Sequence, residues 1–420
     1  MTRLALFLLG MVVLAAGCGR PTRAQVAEED SLALVALYTA TDGPDWTDNT
    51  NWLSGTVASW IGVTLEGDRV TALVLPNNGL DGTLPLEIGN LGGLQRLLLF
   101  RNRLSGESPT DIGNLAKLDE LILARNRLSG EILPEIGNLA SLQTLDLFLN
   151  QFTGAIPPEL GNLTNLEILF LHDNQLDGAL PPEIGALESL QILNLSRNQF
   201  SGPLPPELGE LARLRLLDTS FNQFTGEIPP ELGRLARLEI LWLLINPLTG
   251  EIPPELGDLA SLESLLINRT QLTGDIPLSF INLTRLRVFN FISTDLCEPS
   301  DDAFQNWLQN VPDVSSNGLT CTPTATEEAP AVPARLGLDA NYPNPFHHAT
   351  RIGYTLPHRM LVRLAVYDAT GRLVEVLVET NQPAGRQAVT FETSALPSGV
   401  YFYRLDTGAF RETRPMLLLR

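Results

Sequence analysis

Few residues of the 420-residue sequence combine the types and the spacing that catalysis requires. His172 precedes Asp173, and Ser196 follows the histidine by 24 residues, so together they offer the residue types of a hydrolase triad. In a chain that repeats itself such neighbours arise by accident, and no phosphate-binding loop, metal-ligand spacing or carboxylate pair in a cleft accompanies them. The sequence therefore predicts no enzyme, no cofactor and no metal centre.

Cysteine chemistry is predicted at two positions near the end of the middle region. Cys297 and Cys321 are 24 residues apart, and the third cysteine, Cys18, lies beside an apolar N-terminal stretch. No histidine is close to the pair in sequence, so a metal site there would lack ligands. Two such cysteines in an exported protein are predicted to form a disulfide.

The positions of these residues are set by a repeat that fills the middle of the chain. The pattern L-x-x-L-x-L-x-x-N-x-L returns every 24 residues from Leu73 to about Val288, without insertion or deletion. A fixed period of this length indicates a solenoid, in which each repeat packs on its neighbours. Each x-L-x-L-x segment predicts a strand with inward leucines, and each asparagine is expected to satisfy main-chain groups where the strand ends. The asparagines are Asn78, Asn102, Asn126, Asn150, Asn174, Asn198, Asn222 and Asn246.

The repeat resembles the plant-type leucine-rich repeat. Segments such as G-E-I-P-P-E-L-G at residues 226–233 carry the resemblance, and W-I-G-V at residues 60–63 is similar to the N-terminal cap of that family. Ala58 and Leu65 stand where the plant cap has two cysteines, so packing must hold this cap instead. The resemblance implies an α/β leucine-rich-repeat solenoid over residues 73–296, with a parallel β-sheet on its concave face. The family includes plant receptor ectodomains, but no kinase signature occurs here.

Both ends of the array are predicted to be capped, because an open solenoid end exposes a sheet edge and a bare core. Residues 25–72 form the N-terminal cap, and residues 297–321 form the C-terminal cap, with Ser300 as the N-cap of a helix. The first cap is predicted to hold an amphipathic helix and then tryptophans that pack together or, alternatively, form a sugar-binding platform. The inward residues of that helix are predicted to be Leu32, Val35, Ala36 and Leu37, and the tryptophans are Trp46, Trp52 and Trp60.

Residues 1–24 are predicted to be a signal peptide. Arg3 precedes an apolar run, residues 4–16, that is too short to span a bilayer. Cleavage after Ala24 fits a plain signal-peptidase site, whereas A-A-G-C ending at Cys18 resembles a lipoprotein box. Both alternatives place the mature protein outside the cell or on its surface, and no later stretch is long and apolar enough to cross a membrane.

The sequence changes character after the repeats. Residues 322–335 are rich in Pro, Ala and Thr and are predicted to be a linker. Residues 336–420 alternate apolar and polar residues between turns, which predicts a small all-β, immunoglobulin-like sandwich. The segments N-Y-P-N-P-F, V-Y-D-A-T-G-R-L-V and L-P-S-G-V-Y-F-Y-R-L resemble, in order, the C-terminal sorting domain of the type IX secretion system. That resemblance implies export across the outer membrane with this machinery as a partner. A plain immunoglobulin-like module is the alternative.

The register of the repeats predicts which side chains face outward on the concave face. Several are aromatic, although an exposed sheet normally carries polar residues, and arginines follow at the strand ends. Aromatic and arginine side chains are enriched at the centres of protein-binding interfaces, although scattered surface residues are the alternative interpretation. The predicted ligand-binding residues are Phe100, Arg101, Arg125, Phe148, Phe170, His172, Arg197, Phe221 and Trp242.

One acidic residue in each repeat forms a separate row, with Glu87, Glu135 and Glu183 among its members. Each is predicted to lie beside the positive N-terminal end of a short helical turn, where a carboxylate is stabilised. A strip of divalent-cation sites is the alternative.

The formal net charge of −20, from 28 Lys and Arg against 48 Asp and Glu, argues against nucleic acid or an anionic lipid surface as the partner. The sequence predicts a bacterial protein, secreted or on the cell surface, that recognises a protein, peptide or glycan through the concave face of its repeats. The alternative is a structural or adhesive surface protein whose array serves as a spacer.

Overall fold

The computed structural model describes residues 26–321, 336–356, 360–382, 385–393, 396–408 and 410–419. These residues form two compact units, one that ends at Cys321 and one that follows it, and each has a hydrophobic core of its own. The predicted signal peptide, residues 1–24, and the predicted linker, residues 322–335, lie outside the described residues.

The first unit is built on one long sheet of twelve strands. Its first two strands pair antiparallel and the later ones pair parallel, so that Leu145, Leu169 and Leu193 stand side by side. In most repeat strands the central residue is buried and the two flanking residues are partly exposed. The predicted solenoid with a parallel sheet is confirmed. The strands are Val63–Glu66, Arg69–Val74, Arg96–Leu98, Glu120–Ile122, Thr144–Asp146, Ile168–Phe170, Ile192–Asn194, Leu216–Asp218, Ile240–Trp242, Ser264–Leu266, Val288–Asn290 and Asp313–Ser315.

After its strand in the long sheet, each repeat forms a short lateral strand and, in all but the last repeat, a 3-10 helix. The I-P-P-E pattern favours that helix, because proline at its first position needs no N–H partner and has a suitable φ. The acidic residue of the repeat, such as Glu135 or Glu183, lies in the first turn of this helix. The lateral strands are Asp81–Gly82, Arg103–Glu107, Arg127–Glu131, Gln151–Gly154, Gln175–Leu176, Ser201–Pro203, Gln223–Thr225, Thr249–Gly250, Gln271–Asp275 and Asp295–Cys297. The 3-10 helices are Leu86–Asn90, Thr110–Asn114, Pro134–Asn138, Pro158–Asn162, Pro182–Ala186, Pro206–Glu210, Pro230–Arg234, Pro254–Asp258 and Leu278–Asn282.

Helix α1 (Glu28–Ala40) packs on the first repeat. Leu32 and Val35 are exposed, so the predicted inward face of this helix is wrong in part. The segment is apolar on several sides, and residue spacing alone does not select one of them. A polar contact helps to fix the orientation, because the carboxylate of Asp30 accepts the main-chain N–H of Val70 at 2.6 Å. The side chains that α1 buries are Asp30, Ala33, Leu34 and Leu37.

The three tryptophans of the N-terminal cap pack together. Their rings are buried, and the ring centroids of Trp52 lie 4.8 Å from Trp46 and 4.9 Å from Trp60. Each indole N–H donates to a main-chain carbonyl, at 2.8, 3.0 or 3.1 Å. The packing prediction is therefore confirmed, and the alternative of an exposed sugar-binding platform is wrong.

Helix α2 (Asp302–Asn310) and a disulfide close the other end of the array. The predicted N-cap, Ser300, is off by one residue. The carboxylate of Asp301 caps the helix by accepting a main-chain N–H of the first turn at 3.0 Å. Cys297 and Cys321 are bonded as predicted, with their Cα atoms 4.9 Å apart.

The second unit consists of antiparallel sheets of three and four strands. Phe346, Tyr354, Phe391 and Tyr403 are among the large side chains buried in its core. This architecture confirms the predicted small all-β unit. Its strands are Gly337–Leu338, Ala349–Leu356, Met360–Tyr367, Leu373–Gln382, Gly385–Glu392, Gly399–Asp406 and Arg411–Leu418.

The asparagines of the repeats form a buried ladder that links neighbouring repeats. Nδ2 of Asn198 donates to the carbonyl oxygens of Leu171 at 3.0 Å and Leu195 at 3.1 Å, one in the preceding repeat and one in its own. Oδ1 of the same side chain accepts the N–H of Leu176 at 3.0 Å. Equivalent bonds recur at Asn150 and at the other ladder positions from Asn102 to Asn246. Asn78 instead bonds to the main chain of Asp48 in the N-terminal cap. Each amide thus satisfies main-chain groups for which an apolar side chain would offer no partner.

Replacing Asn198 by Asp tests the ladder, because the carboxylate keeps the acceptor but places a charge against two carbonyl oxygens. We expect the free energy of unfolding at pH 7 to fall by about 3 kcal/mol or more, since each buried group left unpaired costs about 1–3 kcal/mol. Urea unfolding followed by circular dichroism measures this change. The matched control is Asn162→Asp, at the exposed last residue of the 3-10 helix Pro158–Asn162. Equal effects of the two substitutions would contradict the ladder's role.

Candidate ligand-binding face

Four rows of side chains run across the outward face of the long sheet, and nine successive repeats, from the strand Arg96–Leu98 onward, each contribute one residue to every row. In one repeat these are Thr144, Asp146, Phe148 and Leu149, which we assign to the first, second, third and edge rows. The first row reads Arg96, Glu120, Thr144, Ile168, Ile192, Leu216, Ile240, Ser264 and Val288. The second reads Leu98, Ile122, Asp146, Phe170, Asn194, Asp218, Trp242, Leu266 and Asn290. The third reads Phe100, Ala124, Phe148, His172, Ser196, Ser220, Leu244, Asn268 and Ile292. The edge row reads Arg101, Arg125, Leu149, Asp173, Arg197, Phe221, Ile245, Arg269 and Ser293.

All nine residues that the sequence predicted for ligand binding lie in these rows. Phe170 and Trp242 belong to the second row, and the remaining seven to the third and edge rows. The third-row members are Phe100, Phe148 and His172, and the edge-row members are Arg101, Arg125, Arg197 and Phe221. The register prediction is therefore correct for every one of them, whereas their role in binding stays a prediction.

Four of the nine residues form one cluster of planar groups. The guanidinium of Arg125 lies over the ring of Phe148, 4.9 Å from its centroid. The Phe148 and His172 rings stack at 4.5 Å with an interplanar angle of 8°, and Phe170 meets His172 edge-on at 5.6 Å. Three successive repeats thus supply one continuous stacked surface, which we call the aromatic stack.

The other predicted residues stand apart from the aromatic stack. Arg197 lies over the ring of Phe221 at 4.3 Å, as a second cation–π pair. The indole N–H of Trp242 donates to the hydroxyl of Ser264 at 2.9 Å, which fixes the orientation of a half-buried ring. Phe100 and Arg101 have no aromatic or cation–π contact among the described residues.

His172 is half-buried within the aromatic stack. Burial lowers its pKa, and the negative charges of Asp173 and Asp218 oppose that shift only in part. The ring is therefore neutral at pH 7, and its Nδ1 is buried without a hydrogen-bond partner in the described part of the chain. The hydroxyl of Ser196 donates to Oδ1 of Asn194 at 2.7 Å. The hydroxyl hydrogen of this serine is therefore directed to that amide and not to His172.

Asp146 is a residue that the sequence prediction missed. Its Oδ1 accepts the main-chain N–H of Phe148 at 3.1 Å, so the carboxylate lies next to the aromatic stack. Burial raises the pKa of Asp146 to about 6, although that hydrogen bond and the charge of Arg125 favour the ionised form. Only the register marked Asp146 as outward-facing, and a sequence gives no measure of how far a carboxylate is desolvated.

The first row contains an apolar strip that was also missed. Four successive repeats place branched aliphatic side chains there, and all four are partly exposed. They lie beside the second row, because each belongs to the same three-residue strand as a second-row residue. The sequence could have predicted this strip, because each of its residues directly precedes an inward leucine of its strand and must therefore face outward. The four are Ile168, Ile192, Leu216 and Ile240.

Metal-ligating side chains meet at one place in the described part of the chain. This group consists of Asp275, Cys297 and Cys321, and both of its sulfurs belong to the disulfide. Bonded sulfurs are not the thiolate ligands that a zinc site uses.

Two family models match separate parts of the chain. Residues 340–417 match the secretion system C-terminal sorting domain. Six consecutive segments between residues 93 and 235 match the leucine rich repeat. The chain is a leucine-rich-repeat protein with a type IX secretion sorting domain.

Several plant proteins are among the solved structures similar to this leucine-rich-repeat protein. One is the ectodomain of the receptor kinase GASSHO1/SCHENGEN3 from Arabidopsis thaliana, in complex with CASPARIAN STRIP INTEGRITY FACTOR 2. It is 33% identical over 64% of this chain, and the TM-score is 0.57. Another is the plant peptide hormone receptor RGFR1 in complex with RGF2, with 36% identity over 55% of this chain and a TM-score of 0.54. The match spans only 36% and 37% of those two chains. A plant ice-binding protein matches over its entire length and over 72% of this chain, with 27% identity and a TM-score of 0.59.

The sorting domain implies export of this leucine-rich-repeat protein to the cell surface or the extracellular space. No helix in the described residues is long and apolar enough to cross a membrane.

Asp146→Asn should stabilise the protein above pH 6. The raised pKa means that the folded state holds a proton that the unfolded chain releases near pH 4, so stability falls as pH rises from about 4 to 6. The asparagine variant keeps the acceptor oxygen and escapes this loss. We expect it to be more stable by roughly 1 kcal/mol at pH 7.5, after discounting for solvent exposure, and to match the wild type near pH 4.

Urea unfolding of both proteins at pH 4.0, 6.0 and 7.5 measures this difference. Asp173→Asn is the control, because Oδ1 of Asp173 lies 3.9 Å from Nε of Arg197 and 36% of the Asp173 side chain is exposed. Its substitution should give no stabilisation. A constant difference between Asp146→Asn and the wild type at all three pH values would contradict a raised pKa.

Proposed function

We propose that this protein recognises an extended peptide or protein segment through the outward face of its long sheet and catalyses no reaction. The aromatic stack of Arg125, Phe148, Phe170 and His172 is the observation that carries this proposal. Exposed aromatic rings supply large apolar contact area, and rings held by neighbouring groups lose little conformational freedom on binding. Trp242 and the Arg197–Phe221 pair would extend the same binding face.

The similar plant structures favour a peptide over other ligands. The two receptor ectodomains are each in complex with a partner, and RGFR1 is named as a peptide hormone receptor. The ice-binding protein points to a different ligand class, a periodic crystal surface. A periodic ligand calls for the same side chain in every repeat, whereas the second row changes from Asp146 to Phe170 to Asn194. The variation of the rows favours an irregular chain such as a peptide.

A spacer role remains the second candidate, as a structural or adhesive surface protein. The regular array supports it, because stacked repeats of equal length extend the molecule without any ligand. The half-buried aromatic side chains of the second and third rows argue against it, since a spacer needs only polar residues there.

The combined substitution of Phe148→Ala and Trp242→Ala tests recognition. Random 12-residue peptides displayed on phage are selected on the purified protein, and the enriched peptides are measured by fluorescence polarisation. We expect the double variant to lose at least about 100-fold in affinity, because two interface aromatics each contribute about 2 kcal/mol or more.

The control is Gln223→Ala, which truncates an exposed side chain of a lateral strand. It should bind the selected peptides like the wild type. Peptides that bind the double variant and the wild type equally would refute recognition through this face and would favour the spacer role.

We further propose that the N-terminal segment is a cleaved signal peptide and that the sorting domain delivers the repeats to the surface. The match of residues 340–417 to the sorting-domain model supports the second step. The compact second unit, with its own core, is consistent with a module that the secretion machinery reads independently.

Deletion of residues 335–420 tests delivery. Expressed in a host with a type IX system, the truncated protein should remain inside the outer membrane, while the full chain reaches the surface or the medium. Immunoblots of cell fractions measure the distribution, and unchanged urea unfolding of the purified repeats shows that they still fold. Surface delivery of the truncated protein would overturn the sorting role.

A further inference from the structure

We propose that the partner is a basic peptide in extended conformation, with two Lys or Arg side chains four residues apart that bind Asp146 and Asp218. This inference rests on the proposed recognition function and specifies the chemistry of its ligand. It follows from four observations on the second row.

The first observation is that neither carboxylate is needed for the backbone turn that it makes. Asp146 and Asp218 accept the main-chain N–H two residues further on, at 3.1 and 3.0 Å. Asn194 and Asn290 occupy the same row and accept the equivalent N–H with an amide oxygen, at 3.0 and 3.2 Å. A neutral side chain therefore makes the turn equally well, and the turn does not explain the negative charge at residues 146 and 218.

The second observation is that neither carboxylate is in an ion pair in the described part of the chain, although the charge of Arg125 acts on Asp146 from beyond ion-pair distance. Among the described residues no Lys or Arg forms an ion pair with Asp146 or Asp218, although Asp218 is only 4% exposed. Elsewhere on this face an acid is paired, as Glu120 is with Arg96 at 2.9 Å. A buried charge without a partner is unfavourable, so a cation supplied by a ligand would be stabilised there. The net charge of −20 would also attract a basic partner.

The third observation is that each carboxylate has an aromatic neighbour in the next strand. Phe170 pairs with Asp146, and Trp242 pairs with Asp218, residue for residue in the parallel ladder. An ammonium or guanidinium group bound to the carboxylate would therefore contact a ring at the same time, which adds a cation–π attraction. The structure repeats this Asp–aromatic pair after three repeats, so the face has two similar cation sites.

The fourth observation is the distance between the two sites. Asp146 and Asp218 are three strand steps apart, through Phe170 and Asn194. With strands about 4.8 Å apart, the separation along the row is about 14 Å. An extended peptide advances about 3.3–3.6 Å per residue, so four residues span this distance. Side chains four positions apart also lie on the same side of an extended chain, because its side chains alternate.

The phage selection described above gives a direct test when the peptide sequences are read. We expect enriched peptides to carry Lys or Arg at positions i and i+4. For one such peptide, Asp146→Asn and Asp218→Asn should each weaken binding about 10-fold, as for loss of a charge-assisted hydrogen bond. Both variants should fold, because asparagine already occupies this row.

Glu183→Gln is the matched control for net charge, since Glu183 is an exposed member of the separate acidic row. It should leave the affinity within about twofold, because exposed and distant charges are screened. A synthetic peptide with one residue inserted between the two basic positions should bind about 10-fold more weakly, which tests the spacing independently of the protein variants.

The outcomes separate this inference from the proposed function. If peptides depend on Phe148 and Trp242 but lack basic pairs, or bind the Asp146→Asn and Asp218→Asn variants unchanged, the basic-ligand inference is wrong and recognition stands. Enrichment of acidic peptides would have the same meaning. If no peptide depends on any of these residues, both proposals are wrong.

Discussion

The side-chain amide that follows most of the long-sheet strands, from Asn102 to Asn246, is the interaction on which the rest of the first unit depends. A solenoid turns its chain out of the sheet once in every repeat, and at each turn main-chain groups lose their strand partners. The ladder asparagines replace those partners and join each repeat to the one before it. Because the same bonds recur at a fixed interval, the strands stay in register, and the outward rows follow from that register.

The outward face illustrates how little of the surface this ladder prescribes. The inward positions hold leucines with few exceptions, whereas the second row holds acids, amides, aromatics and aliphatics in turn. Asp146 retains a half-buried carboxylate whose pKa burial raises to about 6, in a position where an amide would serve the backbone equally well. The scaffold does not require such a residue, and its desolvated carboxylate lowers the stability of the fold. A role in binding explains best why a residue of this kind is present.

The sequence predicted the scaffold well because its signals are local and repeated. The register placed all nine candidate residues on the outward face, and the ladder, the disulfide and the all-β second unit agree with the structure. The errors arose where orientation depends on tertiary contacts. The orientation of helix α1 depends in part on a buried hydrogen bond between Asp30 and Val70, which is 40 positions away. Helical spacing does not reveal such a contact. The stacking of Phe148 on His172 and the desolvation of Asp146 likewise depend on packing between repeats.

The edge row shows a backbone consequence of the same geometry. Nine consecutive members, from Arg101 to Ser293, have φ between 53° and 61°, in the left-handed region, and none of them is glycine. This conformation costs roughly 1–2 kcal/mol per residue for an ordinary side chain. Glycine would relieve the strain but would present nothing to solvent. The edge row therefore has a backbone conformation that neighbouring residues impose, while its side chains differ from repeat to repeat. Substitutions in this row would change the binding specificity without any change to the ladder.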